Sequence, residues 1–118
     1  MNGPKINFSV RPITPDTCVI DIYGELTMMA ETALMATFEE AGETSAAASS
    51  AASGPTKLRN VILNFAPMTY MNSSGIGLLV MFLVRLNREG QKLLVASLST
   101  HYQRIFELTR LNEAIRVV

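Results

Sequence analysis

The stretch 61–85, VILNFAPMTYMNSSGIGLLVMFLVR, constrains the fold of this chain more than any other. It opens with a short apolar run, Val61 to Phe65, which is typical of a buried strand. Pro67 has no N–H to donate, so strand pairing is expected to end there. Three residue types that cap helices come next: Asn72, Ser73 and Ser74. An apolar run from Ile76 to Val84 follows, so the stretch predicts a strand, a loop with two hydroxyl groups and a helix.

The two serines lie where the predicted helix begins. The first turn of a helix has unpaired N–H groups and the positive end of the helix dipole. A phosphate group attached there would be favoured electrostatically. From the residues alone, helix capping is the favoured role for Ser73 and Ser74.

The segment 71–78, M-N-S-S-G-I-G-L, resembles the signature of the STAS domain of bacterial anti-sigma factor antagonists. That signature is D-S-S-G or D-S-T-G between an apolar strand and a hydrophobic helix. The resemblance implies that Ser73 is a phosphoacceptor and that Ser74 is mainly structural. Asn72 stands where the family usually has Asp. The asparagine side chain keeps the hydrogen-bonding oxygen but lacks the negative charge. A second match is G-E-L at 24–26, followed by Thr27 where the family often has Asp.

Length and composition indicate a single domain over residues 1–118. The formal net charge is zero, so charge does not favour binding to nucleic acid or to an anionic membrane. Cys18 is the only cysteine, which is compatible with a reducing compartment. The N-terminus lacks a secretory signal pattern, and the apolar run 76–84 is about half of what a bilayer requires. A cytoplasmic protein without membrane insertion is therefore expected.

Hydrophobic periodicity predicts the order β-β-α-β-α-β-α-β. The predicted elements are strands at 6–12, 18–23, 61–65, 93–96 and 115–118, and helices at about 28–41, 74–88 and 99–111. A helix between two apolar strands implies a right-handed parallel crossover. The predicted fold is an α/β STAS-like sandwich, with one mixed sheet of four to five strands and helices packed mainly on one face.

The segment Thr44–Thr56, TSAAASSAASGPT, is predicted to be a flexible low-complexity insertion. It lacks large apolar residues, so it cannot bury enough surface to offset the entropy of ordering. An alanine-rich tract could extend the preceding helix, but the serines, Gly54 and Pro55 weaken that alternative.

Arg110 is a further departure from the family, because many members have T-G-L where this chain has T-R-L at 109–111. A glycine there accepts a left-handed backbone at little cost. Arginine would cost about 1 kcal/mol in that conformation, or the chain would close in a different way.

The sequence contains no recognisable catalytic set, and no cofactor or metal is predicted. No cluster of His, Cys and carboxylate residues has the spacing of metal ligands. Gly75 and Gly77 form only a fragment of a phosphate-binding loop, without the lysine or the third glycine. Cys18 fits a small buried residue on a strand, and His101 a surface residue.

The predicted helix after Ser73 has no charged residue between Ile76 and Val84, although a surface helix needs a polar face. If the residues that face the sheet are Ile76, Leu79, Val80 and Leu83, then Leu78, Met81 and Phe82 lie elsewhere. They are either covered by a neighbouring helix or part of a partner-binding patch. The predicted patch consists of Met28, Met29, Met68, Met71, Asn72, Ser73, Ser74, Gly75, Leu78, Met81 and Phe82.

The resemblance implies a protein-interaction switch and not an enzyme. Such a protein binds a serine kinase that is also an anti-sigma factor, releases the sigma factor, and is switched off by phosphorylation of Ser73. A non-phosphorylated STAS scaffold or a subunit of a transporter complex is the first alternative. A small enzyme or a nucleotide binder is a remote one.

Overall fold

The structure, a computed structural model, describes residues 6–48 and 58–118. Its strands are β1 (Ile6–Thr14), β2 (Thr17–Leu26), β3 (Asn60–Asn64), β4 (Met68–Met71), β5 (Lys92–Ala96) and β6 (Arg116–Val117). Its helices are a 3-10 turn (Met28–Ala30), α1 (Glu31–Ala48), α2 (Ser73–Arg88), α3 (Thr100–Leu108) and α4 (Leu111–Ala114).

One mixed sheet organises the part of the chain that is described. The strand order is β1-β2-β3-β5-β6, and β4 pairs with the end of β2 outside this path. β1 runs antiparallel to β2, and the other pairs are parallel. The predicted α/β fold is therefore confirmed, including the initial hairpin and the helical crossover from β3 to β5.

The core lies on one face of the sheet because apolar residues alternate along the central strands. The buried strand residues on this face are Cys18, Ile20, Ile22, Val61, Leu63, Leu93 and Val95. They form one cluster with buried residues of α1 and α2. Within it, the rings of Phe38 and Phe82 meet edge to face, with their centroids 5.3 Å apart. The two helices thus pack against each other as well as against the sheet.

The opposite face carries a polar network centred on the buried carboxylate of Asp21. Arg11 donates two hydrogen bonds to it, of 2.6 and 2.8 Å, and Asn64 donates a third of 2.7 Å. The bonds from Arg11, and then that from Asn64, hold the pKa of Asp21 below its usual range against the effect of burial. Because the folded pKa is lowered, the ion pair stabilises the fold above the unfolded pKa. That stabilisation is lost as the pH falls through the folded value.

Helix α1 extends beyond the predicted end near Ala41 and continues to Ala48. Residues 44–48 of the predicted insertion therefore belong to a helix and not to a loop. The alanines at 46–48 explain the difference, since alanine has the highest helix propensity. Residues 49–56, the rest of that segment, lie outside the described residues.

The short strand β4 was not predicted, because the region after Pro67 was expected to be a loop. Pro67 lies just before β4, so its missing N–H interrupts no ladder. β4 pairs only with the far end of β2, where Tyr70 faces Glu25 and Met71 faces Leu26. This pairing brings the end of β2 against the loop that starts α2.

The predicted third helix is divided in two at Arg110. Helix α3 ends at Leu108, and Arg110 adopts a left-handed conformation with φ 62° and ψ 18° before α4 begins. The chain therefore keeps the backbone that glycine would favour and places an arginine in it. A non-glycine residue in this region costs roughly 1–2 kcal/mol.

We expect Arg110→Gly to stabilise the protein by about 0.5–1 kcal/mol, the relief of backbone strain less the extra entropy of glycine in the unfolded chain. Urea unfolding followed by circular dichroism measures the change. Arg104→Gly is the matched control, because it makes the same replacement inside α3 and should destabilise by about 1 kcal/mol. A loss of stability in Arg110→Gly would mean that the arginine side chain contributes more than the strain removes.

Candidate functional site

Asn72 is the N-cap of α2. It has an extended backbone, with φ −102° and ψ −177°, and its Oδ1 accepts a hydrogen bond of 2.9 Å from the Gly75 N–H. The capping that the sequence assigned to the serines is therefore done by the residue before them. Ser73 and Ser74 become the first two residues of the helix.

The hydroxyl of Ser74 connects two distant segments of the chain. It donates a hydrogen bond of 2.8 Å to Asn72 Oδ1 and accepts one of 2.9 Å from the N–H of Met28. The 3-10 turn is thereby fixed against the first turn of α2. Ser74 is half-buried and is a structural residue of the site, as its role in the family implied, although it bridges two segments instead of capping the helix.

Gly75 allows the closest approach between α2 and the sheet. A Cβ atom at this position would overlap the backbone carbonyl of Leu26 and lie 2.9 Å from Cγ of Met71. Only a residue without a side chain fits between these groups. The contact also fixes the rotation of α2, since the residues one, two and three turns further along face the core.

Ser73 is exposed at the start of α2. Within the described residues its hydroxyl makes no hydrogen bond, in contrast to that of Ser74. The helix begins at this residue, so the N–H groups of the first turn point toward the same end of the helix. The side chain is therefore accessible, and the dipole around it is favourable for a negative charge.

Large apolar residues are exposed on the two segments that adjoin the start of α2. Met28 and Met29 lie on the 3-10 turn that Ser74 holds, and Met29 is 74% exposed. Tyr70, on β4, is 50% exposed. Sequence analysis selected both methionines and missed Tyr70, because the strand that presents it was predicted to be a loop.

The exposed side of α2 continues this apolar region. Val80, Met81 and Val84 are each exposed, and with Ser73 and Gly77 they recur at helical spacing. We call the residues Met28, Met29, Tyr70, Ser73, Val80, Met81 and Val84 the apolar surface. Charged groups lie at both ends of this region: Arg85 pairs with Glu89 at 2.8 Å at the far end of α2, and exposed Glu25 is the strand partner of Tyr70.

The predicted orientation of α2 was partly wrong. Leu78 and Phe82, assigned to a partner-binding patch, are fully buried, whereas Val80, expected to face the sheet, is 39% exposed. The reason is the rotation that Gly75 sets, which turns its own side of the helix toward the core. The helical spacing from Gly75 continues inward through Leu79, Phe82 and Leu86.

Three further members of the predicted patch also belong to the interior. Gly75 is buried against Leu26 and Met71. Met71 is buried, and Met68 is half-buried and packs against the core. The Tyr102 hydroxyl accepts a hydrogen bond of 2.9 Å from the Met71 N–H and lies 3.3 Å from the Met71 carbonyl oxygen, to which it donates. α3 thereby fixes the strand that leads into the N-cap. Met28, Met29, Ser73 and Met81 remain on the surface, and Asn72 and Ser74 are half-buried beside it.

The cysteine and the histidine, two residue types that often serve in catalysis, are not part of this site. Burial raises the pKa of Cys18 to about 11, so its thiol stays protonated at neutral pH. His101 is exposed in the first turn of α3, beside the ring of Tyr102. Across residues 6–48 and 58–118, no three His, Cys, Asp or Glu side chains are grouped as metal ligands would be. None of the helices in those ranges is long and apolar enough to span a bilayer.

Comparison with known proteins identifies the family to which this fold belongs. The family model described as the STAS domain matches residues 9–118. Over 59 residues the chain is 34% identical to the anti-sigma-B factor antagonist of Staphylococcus aureus (strain NCTC 8325 / PS 47), and the alignment covers 50% of this chain and 55% of that relative. The chain therefore spans about half the length of the curated relative it matches.

Two solved structures share the fold. The Bacillus cell fate determinant SpoIIAA in its phosphorylated form superposes with a TM-score of 0.64 at 21% identity, over 95% of this chain and 91% of that one. An anti-sigma factor antagonist from Mycobacterium paratuberculosis gives a TM-score of 0.65 at 19% identity, over 99% and 89%. This chain belongs to the STAS domain family, as the motif around Ser73 had indicated.

We expect Ser74→Ala to lower stability by about 1–2 kcal/mol, because it leaves the Met28 N–H without its acceptor and removes one donor to Asn72. Amide hydrogen exchange at Met28 should accelerate, whereas Ala30, whose N–H is bonded to the Thr27 carbonyl, should change little. Ser73→Ala is the control and should change stability by less than about 0.5 kcal/mol, as usual for an exposed site. Equal losses in the two variants would contradict the bridging role.

Proposed function

We propose that this protein is an anti-sigma factor antagonist whose partner is a serine kinase that also acts as the anti-sigma factor. Binding through the apolar surface releases the sigma factor, and phosphorylation of Ser73 ends the binding. The observation that carries the proposal is the position of Ser73. It is an exposed hydroxyl at the start of a helix whose outer side carries exposed Val80, Met81 and Val84, in a chain of the STAS family.

The chemistry of the apolar surface favours a protein partner. Exposed Met28, Met29 and Met81 are flexible and polarisable, which suits an adaptable interface. A depression of about 320 Å³ on the outer side of α2 is lined by Val80, Met81, Val84, Arg85 and Arg88. Burying such a surface against a partner removes apolar area from water.

Phosphorylation of Ser73 would act on this surface without disturbing the core. The phosphate adds about −1.5 to −2 charges and three acceptor oxygens. In the free protein the first turn of α2 can accommodate that charge. In a complex the same charge would be enclosed by apolar side chains, where desolvation is costly.

Incubation with ATP and a serine kinase of the anti-sigma factor type that binds this protein tests the proposal. Intact mass should rise by one phosphate, and phosphopeptide mapping should place it on Ser73. Matched incubations of Ser73→Ala and Ser74→Ala separate the two hydroxyls, since only the first should block the modification. Phosphate on Ser74 alone, or stable binding without modification, would instead support a STAS scaffold.

We expect Asn72→Asp to keep the fold and to be phosphorylated at least as fast as the parent protein. Aspartate caps helices as well as asparagine does, and its Oδ atoms can accept the same bonds from Gly75 and Ser74. Its charge is also favourable at a helix N-terminus, by about 0.3–1 kcal/mol. Single-turnover phosphorylation rates and urea midpoints measure both effects. Much slower phosphorylation of the variant would show that the site requires a neutral cap.

A further inference from the structure

One side of α2 faces outward along the whole length of the helix. The exposed or half-buried residues on this side are Ser73, Gly77, Val80, Met81, Val84, Asn87 and Arg88. Apart from Met81 and Arg88, which lie beside the others, they follow one another at alternate spacings of four and three residues. That spacing is typical of a seam along which two helices pack lengthwise. We call these seven residues the α2 stripe.

The α2 stripe is complementary to itself when a second copy of the helix is placed antiparallel to the first. The midpoint of the stripe lies beside Val80, so this residue meets its counterpart at the centre. Gly77, which has no side chain, then lies opposite Val84, and Ser73 lies opposite Arg88. Antiparallel helices also bring opposite ends of their dipoles together, which is favourable. A second copy of this chain therefore fits the stripe in both shape and direction.

Apolar side chains occupy the centre of the stripe. Val80, Met81 and Val84 are 39%, 44% and 46% exposed, and each would lose water contact in the pair. Met28 flanks Gly77, and its flexible side chain can adapt to a neighbouring helix. Seven residues from each copy are nevertheless far fewer than the roughly 20–30 on each side of a standard interface. Apolar packing alone should therefore give only weak association.

The charge at the far end of the stripe depends on Arg88. This residue is exposed and forms no ion pair within the described residues. Arg85, by contrast, pairs with Glu89 at 2.8 Å and lies over the ring of Phe38, 5.5 Å from its centroid. In the antiparallel pair, Arg88 faces the positive start of the other helix, which is unfavourable while Ser73 is unmodified. A phosphate on Ser73 reverses the sign there, and a guanidinium group binds phosphate oxygens through two parallel hydrogen bonds.

We propose that two copies of this chain associate through the α2 stripe, and that phosphate on Ser73 strengthens the dimer by pairing with Arg88 of the second copy. The proposal rests on the proposed phosphorylation of Ser73. Twofold symmetry forms the phosphate–arginine pair twice in each dimer. The phosphate lies at the end of the stripe beside a cation, and apolar side chains do not enclose it. The modified chain thereby covers part of the apolar surface that the unmodified chain offers to its kinase partner.

Sedimentation equilibrium on protein that carries phosphoserine at position 73, incorporated during synthesis, tests the dimer. No kinase is used, so the result does not depend on whether a kinase modifies or binds the chain. The modified protein should dimerise about a hundredfold more tightly than the unmodified one, because each of the two pairs contributes about tenfold. Arg88→Gln should remove most of this gain. Arg104→Gln is the matched control, since it removes one charge from exposed α3 and should leave dimerisation within about twofold.

Disulfide cross-linking tests the antiparallel geometry. Val80→Cys places a thiol at the midpoint, so oxidised glutathione should link two modified copies there, while Cys18 is buried and does not compete. Leu108→Cys, on α3 and 74% exposed, is the control and should cross-link much more slowly. Monomers in both forms, equal dimerisation of the two forms, equal effects of Arg88→Gln and Arg104→Gln, or equal cross-linking of the two cysteine variants would overturn the proposal. Urea unfolding checks that each variant remains folded.

Discussion

Phosphorylation of Ser73 should weaken binding to the kinase partner roughly a hundredfold, equivalent to about 3 kcal/mol, while the fold stays intact. Ser73→Asp carries about half the charge of a phosphoserine and should weaken binding at least about tenfold. The reason is the contrast between the two environments of Ser73. In the free protein the residue is exposed at the positive end of α2, whereas in the complex it would be surrounded by the apolar surface.

Isothermal titration calorimetry with a kinase variant that binds but cannot transfer phosphate would measure these affinities. Ser73→Ala should bind as tightly as the parent protein, because the Ser73 hydroxyl has no hydrogen-bond partner in the described part of the chain. Circular dichroism should report unchanged stability for Ser73→Ala and Ser73→Asp. If Ser73→Asp bound the partner as the parent does, the charge-based switch would be excluded.

Gly75→Ala should be the most destabilising single substitution at the site, by about 3 kcal/mol or more. Its new methyl group would overlap the carbonyl of Leu26, which is a backbone atom that cannot move aside without breaking the pairing of β2 and β4. The link from Met28 to Ser74 lies next to this contact and should loosen with it. Chemical denaturation measures the loss of stability.

Gly77→Ala supplies the control for that substitution. It lies two residues further along the same helix, and its Cβ would meet only Cε of Met28, at 3.6 Å, an ordinary contact with a flexible side chain. We expect it to be neutral or to stabilise by up to about 1 kcal/mol, because alanine favours helix over glycine. Similar effects of the two substitutions would mean that helix propensity, and not the close approach to β2, decides the result.

The strands and helices of the core could be predicted because their periodicity is local. Alternation along β1 and β2 and the apolar runs of β3 and β5 place those strands within three residues of their observed ends. β4 was not predicted because it pairs with the end of β2, a segment far from it in sequence. The break at Arg110 was foreseen as a conflict, and only the structure shows that the left-handed backbone is retained.

At the site, the sequence motif indicated Ser73 and the helix that it begins, but not the rotation of that helix. An apolar run with no charged residue gives no polar face from which to deduce which side is exposed. The close contact between Gly75 and Leu26 determines the rotation of the helix. As a result Val80 is exposed and Phe82 is buried, the opposite of what was expected. The hydrogen bond from Met28 to Ser74 could not be predicted either, because the two residues are far apart in sequence and no local pattern connects them.

The division of tasks among the three residues at the start of α2 bears on how long each form of the protein lasts in a cell. Asn72 caps the helix and Ser74 ties it to the 3-10 turn, so Ser73 contributes nothing that its modification would take away. Quality-control proteases recognise opened chains, and a modification without effect on stability creates none. The phosphorylated form should therefore persist as long as the unmodified one. Removal of the phosphate by an enzyme, and not faster turnover of the modified form, would then restore the pool of unmodified protein.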